Sequence, residues 1–103
     1  MVSAKGFVLK PAARADLAEI WSYGAETWGP KQADAYARDL NRSFTTLATF
    51  PRMGRAHTRS TPPVRVHPTR QHLAIYTEDA DGITILRILG AAQDWSGILS
   101  ALE

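Results

Sequence analysis

Two amphipathic segments separated only by a Gly-Pro break most strongly limit how this chain can fold. Pro11 suits the first position of a helix, where its missing N–H costs nothing, and Pro30 is placed to start a second one. Apolar residues recur at helical spacing on one face of each segment. They are Ala13, Leu17, Ile20, Trp21, Ala25 and Trp28, then Ala33, Tyr36, Ala37, Leu40, Phe44, Leu47 and Ala48. Because so short a break forces neighbouring helices to run antiparallel, residues 11–50 are predicted to form a helical hairpin.

The segments on either side of this hairpin are typical of strands. The predicted strands are Lys5–Lys10, Val64–His67, Gln71–Thr77 and Ile83–Leu89. Residues 52–63 are predicted to be a loop, and Asp81-Gly82 a hairpin turn. Asp94 or Ser96 could cap a short last helix. At 103 residues the chain is expected to be one α+β domain, residues 1–103, of order β-α-α-β-β-β, with the hairpin on one face of an antiparallel sheet.

Strand residues alternate between the two faces of a sheet, and this alternation predicts which face meets the helices. The helix-facing set is expected to be Val64, Val66, Leu73, Ile75, Leu86 and Ile88. The opposite face would then gather Arg65, His67, His72, Tyr76 and Arg87, beside Ile83, Ile85 and Leu89. Such a face is too apolar for free water, so we expect the terminal helix or a partner to cover it. Trp21 and Trp28 are expected in the core.

Charge is strongly segregated along the chain, although the net charge is only +2. No acidic residue occurs between Leu40 and Thr77. The same stretch contains Arg42, Arg52, Arg55, Arg59, Arg65 and Arg70 and all three histidines, His57, His67 and His72. A surface of one sign attracts a partner of the other, so an anionic partner is expected.

Several classes of function are disfavoured. The chain has no cysteine, which fits a cytoplasmic protein, and its histidines lack the spacing of a zinc site. We find no glycine-rich phosphate loop and no serine-nucleophile context. No signal peptide or membrane span is expected. No cofactor and no metal are therefore predicted.

Three segments, in this order and spacing, resemble the ParE toxins of the RelE/ParE superfamily. The first runs from Leu9-Lys10-Pro11 through Ile20-Trp21-Ser22-Tyr23 to Trp28-Gly29. The second is Leu47-Ala48-Thr49-Phe50-Pro51-Arg52-Met53-Gly54-Arg55. The third comprises Arg65-Val66-His67-Pro68, His72-Leu73-Ala74-Ile75-Tyr76 and Ile85-Leu86-Arg87-Ile88-Leu89. The resemblance covers about residues 7–95 and implies the fold deduced above.

The resemblance implies the toxin of a bacterial type II toxin–antitoxin module. Such a toxin poisons DNA gyrase, is not an enzyme, and is held inactive by the acidic C-terminal tail of a ParD-like antitoxin. The residues expected to bind that tail are Arg65, Arg70, Tyr76, Ile85, Arg87 and Leu89. Those expected to contact the target are Trp95, Ile98 and Leu99. Direct sequence-specific DNA binding is not expected.

Two alternatives stay open. A RelE-like, ribosome-dependent mRNA endonuclease would need a base, an acid and cations at the phosphate. Those groups could come from Arg65, Arg70, His72, Tyr76 and Arg87. The segment Gly90-Ala91-Ala92-Gln93-Asp94 argues against it, because many relatives have a basic or histidine-bearing turn there. A degenerate toxin that only binds its antitoxin is the other alternative.

Overall fold

A computed structural model describes residues 6–58, 61 and 63–90. Its elements are β1 (Gly6–Leu9), α1 (Pro11–Trp28), α2 (Pro30–Thr49), a 3₁₀ turn (Pro51–Met53), β2 (Arg55–His57), β3 (Val64–Thr69), β4 (His72–Asp79) and β5 (Gly82–Gly90). The α+β architecture and the helical hairpin are confirmed. The predicted terminal helix, with Trp95, Ile98 and Leu99, lies outside the described residues.

The hairpin turns at Gly29, whose φ of 98° and ψ of 157° lie in a region essentially reserved for glycine. Its N–H donates to the carbonyl of Ala25, and its own carbonyl accepts from the N–H of Ala33. Gly29 therefore ends α1 and begins α2 with a single residue. Lys10, which precedes α1, provides no side-chain cap.

The sheet has five strands in the order β1-β5-β4-β3-β2. Strands β3, β4 and β5 are antiparallel neighbours, as predicted, and β2 adds a further antiparallel strand beside β3. The sheet is mixed and not wholly antiparallel as predicted, because β1 runs parallel to β5, with Gly6 opposite Gly82. Strand β2 lies within the predicted loop, so that part of the prediction is wrong. Three residues without a hydrophobic alternation gave no strand signal, and their pairing with β3 is a tertiary effect.

The sheet buries apolar side chains on both faces. The cluster under the helices contains Ala74, Tyr76, Ile83, Ile85 and Ile88 from the strands, packed against Ala13, Leu40, Phe44, Leu47 and Ala48. The described members of a second cluster all come from strands and are Val64, Val66, Ile75 and Leu89, with Leu73 and Leu86 beside them. The two clusters contain alternate residues of the same strands, so they lie on opposite faces.

The predicted face assignment is therefore wrong for most of the sheet. Val64, Val66, Leu73, Ile75 and Leu86 belong to the second cluster instead of the helix-facing one. Tyr76, Ile83 and Ile85, predicted for the opposite face, lie instead on the face that carries the helices. Leu89, predicted to lie with them, belongs to the second cluster, whereas Ile88 faces the helices as predicted. Because a strand buried on both sides has no polar face, the alternation does not indicate which side meets the helices.

A bulge in β5 adds a second departure from simple alternation. The register shifts between Ile75 and Tyr76, whose partners are Arg87 and Ile85, so Leu86 has no opposite residue. Beyond the bulge, two successive residues, Arg87 and Ile88, both contact the helix side of the sheet. The extra residue changes the direction of the side chains at the end of β5, so that Arg87 reaches Asp16 on α1.

Candidate functional site

The residues predicted to bind an antitoxin do not form one exposed surface. Tyr76 and Ile85 are fully buried, and Leu89 is 2 % exposed. The prediction that these three side chains lie on an exposed binding surface is therefore wrong. The four remaining residues of the binding and catalytic predictions fall in two places. Arg65 lies beside the turn that follows α2, whereas Arg70, His72 and Arg87 line a groove beside the helices.

Tyr76 is a structural residue of the turn after α2. Its hydroxyl donates to the carbonyl of Pro51 at 2.6 Å and accepts from the N–H of Gly54 at 3.0 Å. Burial raises the pKa of Tyr76, so the phenol keeps its proton. Arg65 Nη1 donates to the carbonyl of Gly54 at 2.8 Å. These bonds fix the turn Pro51–Gly54 on the sheet.

The groove is formed by α1, α2 and the adjoining ends of β4 and β5, and it has a volume of about 1630 Å³. Its wall on α1 includes Glu19, Ile20 and Tyr23, with Trp28 at the end of that helix. The opposite wall includes Tyr36 on α2 and His72 on β4. Polar groups and aromatic rings therefore converge on one open channel, which is a common arrangement for a binding site.

A bidentate ion pair closes one part of the groove. Arg87 donates from Nε and Nη2 to the two carboxylate oxygens of Asp16, at 2.7 and 2.9 Å. Asp16 also accepts from the backbone N–H of Ile88 at 2.9 Å. Hydrogen bonding to Asp16 raises the pKa of Arg87, which stays fully charged. The pair ties α1 to β5 and neutralises the Arg87 charge within the fold.

A second polar group joins α2 to the β3–β4 turn. The N–H of Gln71 donates to the Tyr36 hydroxyl at 3.1 Å, and that hydroxyl lies 2.6 Å from His72 Nδ1. In the neutral Nε2–H tautomer of His72, Tyr36 donates to Nδ1. Burial lowers the pKa of His72, although Asp16 acts in the opposite direction. Burial thus favours the neutral form of His72, in which one ring nitrogen can accept a hydrogen bond.

Arg70 is also neutralised by a carboxylate of the helices. It occupies the β3–β4 turn with a φ of 61°, and its Nη2 lies 2.8 Å from Asp39 Oδ2. Asp39 also lies 3.6 Å from Arg42. Both groove arginines therefore have an acidic partner on a helix, and the groove does not carry the strong positive charge that the sequence predicted.

The aromatic side chains of α1 are exposed instead of buried. Trp28 is 62 % exposed and Tyr23 is 63 % exposed, and their rings meet edge to face with centroids 5.7 Å apart. Trp21 is 38 % exposed and donates from Nε1 to Asp34. The core role predicted for Trp21 and Trp28 is wrong, because α1 buries Ala13 and Gly24 fully and its other apolar positions only in part.

Sequence reasoning missed Asp16, Tyr36 and Asp39 as site residues. Asp16 directly precedes Leu17 on the apolar face of α1, and an acid beside such a face was a usable signal. Its partner lies 71 positions away in the sequence, and no local pattern connects the two. Only the packing of α1 on β5 brings them together.

Among the described residues, no group of three or more His, Cys, Asp or Glu side chains is arranged to hold a metal ion. No helix in this part of the chain is long and apolar enough to cross a membrane.

Comparison with known proteins identifies relatives along most of the chain. Residues 7–95 match the family described as "ParE toxin of type II toxin-antitoxin system, parDE". The sequence is 35% identical over 89 residues to Toxin ParE1 of Mycobacterium tuberculosis strain H37Rv, covering 85% of this chain and 91% of that protein. It is 32% identical over 85 residues to Toxin ParE1 of Caulobacter vibrioides, covering 82% and 88% respectively.

A solved structure has the same fold. A chain of the "Chromosomal ParDE TA system from P. aeruginosa" superposes with a TM-score of 0.70 at 22% identity. The match covers 84% of this chain and 96% of the other.

Proposed function

Because the chain belongs to the ParE toxin family of type II toxin–antitoxin systems, we propose that it inhibits DNA gyrase and is neutralised by a ParD-like antitoxin. Family membership supports both partners, and the groove beside the helices supports the second. The action is binding and not catalysis. It takes place in the cytoplasm, where gyrase and its DNA are found.

The groove suits the apolar face of an antitoxin helix better than an acidic segment. Arg70 and Arg87 are already paired with Asp39 and Asp16. An incoming carboxylate would have to displace those partners, and breaking a partly buried pair leaves a charge uncompensated. The exposed rings of Tyr23 and Trp28 offer large apolar area without that penalty. Aromatic anchors of this kind dominate the binding energy of many interfaces.

A matched pair of tryptophan variants tests this groove. Trp28 lines it, whereas Trp21 on the same helix does not. Trp28→Ala should weaken binding of the cognate antitoxin at least tenfold by calorimetry, which corresponds to about 1.4 kcal/mol or more. Trp21→Ala should change the dissociation constant less than about threefold. Equal losses in the two variants would contradict the groove as the antitoxin site.

The gyrase target is tested by a supercoiling assay with purified gyrase. The free toxin should stall supercoiling, and the antitoxin should restore it. Normal supercoiling together with cleaved mRNA on ribosomes would establish the endonuclease reading instead. Inactivity in both assays, with the antitoxin still bound, would identify a degenerate toxin.

The five residues considered for RNA cleavage are poorly arranged for it. Tyr76 has its hydroxyl proton and a lone pair engaged by backbone groups, and His72 Nδ1 is engaged by Tyr36. Arg65 lies at the turn after α2 and not in the groove. General acid–base catalysis requires its groups within hydrogen-bond reach of one substrate. This separation favours the non-enzymatic function.

Trp95, Ile98 and Leu99 remain our candidates for contact with gyrase. Truncation after Asp94 should abolish stalling of supercoiling while the antitoxin still binds. Equal loss of both activities would instead assign the segment a structural role.

A further inference from the structure

The segment from the end of α2 to the start of β2, residues 50–55, carries both exposed arginines and exposed apolar side chains. Arg52 and Arg55 are exposed, as are Phe50 (61 %) and Met53 (49 %). Arg65 joins them from β3, where it faces Ala56 of β2 and bonds to Gly54. We call the five residues Phe50, Arg52, Met53, Arg55 and Arg65 the arginine turn.

The arginine turn is held in one conformation by buried contacts. Tyr76 bonds to the backbone at Pro51 and Gly54, and Arg65 bonds to the Gly54 carbonyl. The side chains of the turn are thus displayed from an ordered backbone, so binding does not require the backbone to order.

Positive charge on the arginine turn is poorly compensated, unlike that in the groove. Among the described residues, its ion pair joins Arg52 Nε to Glu78 at 3.9 Å, with side chains 82% and 40% exposed. An exposed pair of this kind contributes little. The hydrogen bond of Arg65 to a neutral carbonyl leaves its charge in place. The stretch from Asn41 to Tyr76 adds no acid of its own.

We propose that the arginine turn binds the phosphate backbone of duplex DNA without reading its sequence. Guanidinium groups match phosphate oxygens in charge and geometry. Exposed arginines gain little from a flexible acidic peptide, whose side chains lose freedom in each pair. Against DNA, each neutralised phosphate also releases condensed counterions. Phe50 and Met53 beside the cations are of the types that architectural proteins press against base steps in the minor groove.

Binding is measured with the full-length protein and a fluorescent, mixed-sequence duplex, by anisotropy from about 50 to about 200 mM salt. The logarithm of the association constant should fall linearly with the logarithm of salt concentration, with a slope of about −2 to −3 for two or three phosphate contacts. A scrambled duplex should bind equally well.

Three double variants assign the effect to the turn. R52Q/R55Q should reduce the slope by about 2 and lower the affinity at low salt at least tenfold. R52K/R55K should keep most of the slope, because lysine still neutralises phosphate as a point charge. K31Q/R38Q removes the same charge from exposed positions of α2 and should change the affinity less than about twofold.

Three results would overturn the proposal. They are the absence of salt-dependent binding, an equal loss in K31Q/R38Q, and a marked preference for one duplex sequence. If a glutamate-rich peptide binds through Arg52 and Arg55 more tightly than DNA does, the turn is a docking surface for an acidic protein instead. The assay contains no gyrase and no antitoxin, so its outcome is independent of the proposed target.

Discussion

At the scale of single residues, the Tyr76 hydroxyl has the clearest structural role. It donates to one backbone carbonyl and accepts from one backbone N–H of the turn after α2. Tyr76 is fully buried, so water is not at hand to take over these two hydrogen bonds. An aromatic ring alone would fill the same space but leave both groups unpaired. The polar atom therefore explains why a tyrosine stands among aliphatic neighbours in this core.

Tyr76→Phe should lower the free energy of unfolding by about 1–3 kcal/mol, because two backbone groups lose their partner. Urea denaturation measures the change. The control is Tyr23→Phe, since Tyr23 is exposed and its edge-to-face contact with Trp28 survives; it should change stability by less than about 0.5 kcal/mol. Similar stabilities for the two variants would exclude this role of the Tyr76 hydroxyl.

His72 should make the stability depend on pH. Because burial lowers the pKa of His72 in the folded state, the unfolded chain binds its proton at a higher pH. Stability should therefore be lost as the pH falls below about 6.5 towards the folded-state pKa, and His72 should contribute nothing to the pH dependence above that window.

The variant His72→Asn removes the titrating group while its amide oxygen can still accept from Tyr36. Unfolding free energies measured at about pH 7.5 and about pH 5 should differ less in this variant than in the wild type. Parallel pH profiles for the two proteins would rule His72 out as the source.

At the scale of elements, the helical hairpin could be predicted from sequence, but the side of the sheet that packs against the helices could not. Pro11, Gly29 and Pro30 act through local backbone chemistry, which sequence displays directly. Val66 and Tyr76 are both buried, on opposite faces, so alternation left two equivalent assignments. The β5 bulge and the Asp16–Arg87 pair depend on tertiary packing and leave no local signal.

The hairpin turn provides a direct test of backbone strain. Gly29→Ala should cost about 1–3 kcal/mol, because an alanine at a φ of 98° is strained even though a Cβ there meets open space. Gly6→Ala is the matched control, since its Cβ also meets open space without a positive φ, and the change should be under about 0.5 kcal/mol. Thermal or urea unfolding measures both changes. Equal losses of stability in the two variants would show that the positive φ at Gly29 is not the cause.

At the scale of the whole molecule, the acids and arginines are distributed unequally between two surfaces. Acids on the helices match the arginines of the groove. In the part of the chain that the structure describes, the arginine turn has only the exposed ion pair of Arg52 with Glu78. The net charge of +2 conveys none of this. The segregation of charge was visible in the sequence, but which arginines are neutralised depends on the fold.

The edge of the sheet depends on Gly82, which has a φ of 142° and lies against Gly6. In Gly82→Ala, the added Cβ would collide with the Gly6 carbonyl oxygen, so β1 should separate from β5. Hydrogen exchange should then rise at the amides of β1 far more than at those of β3 and β4. Asp81→Ala, an exposed change in the same turn, should leave β1 protected.

The parallel pairing of β1 with β5 also governs when this protein can finish folding. A nascent chain leaves the ribosome N-terminus first, so Gly6–Leu9 emerge long before Gly82–Gly90 exist. The helical hairpin can form during that interval from local contacts, but the edge strand has no neighbour until translation has passed the last strand. Each newly made molecule therefore passes through a stage in which the sheet lacks its β1 edge strand.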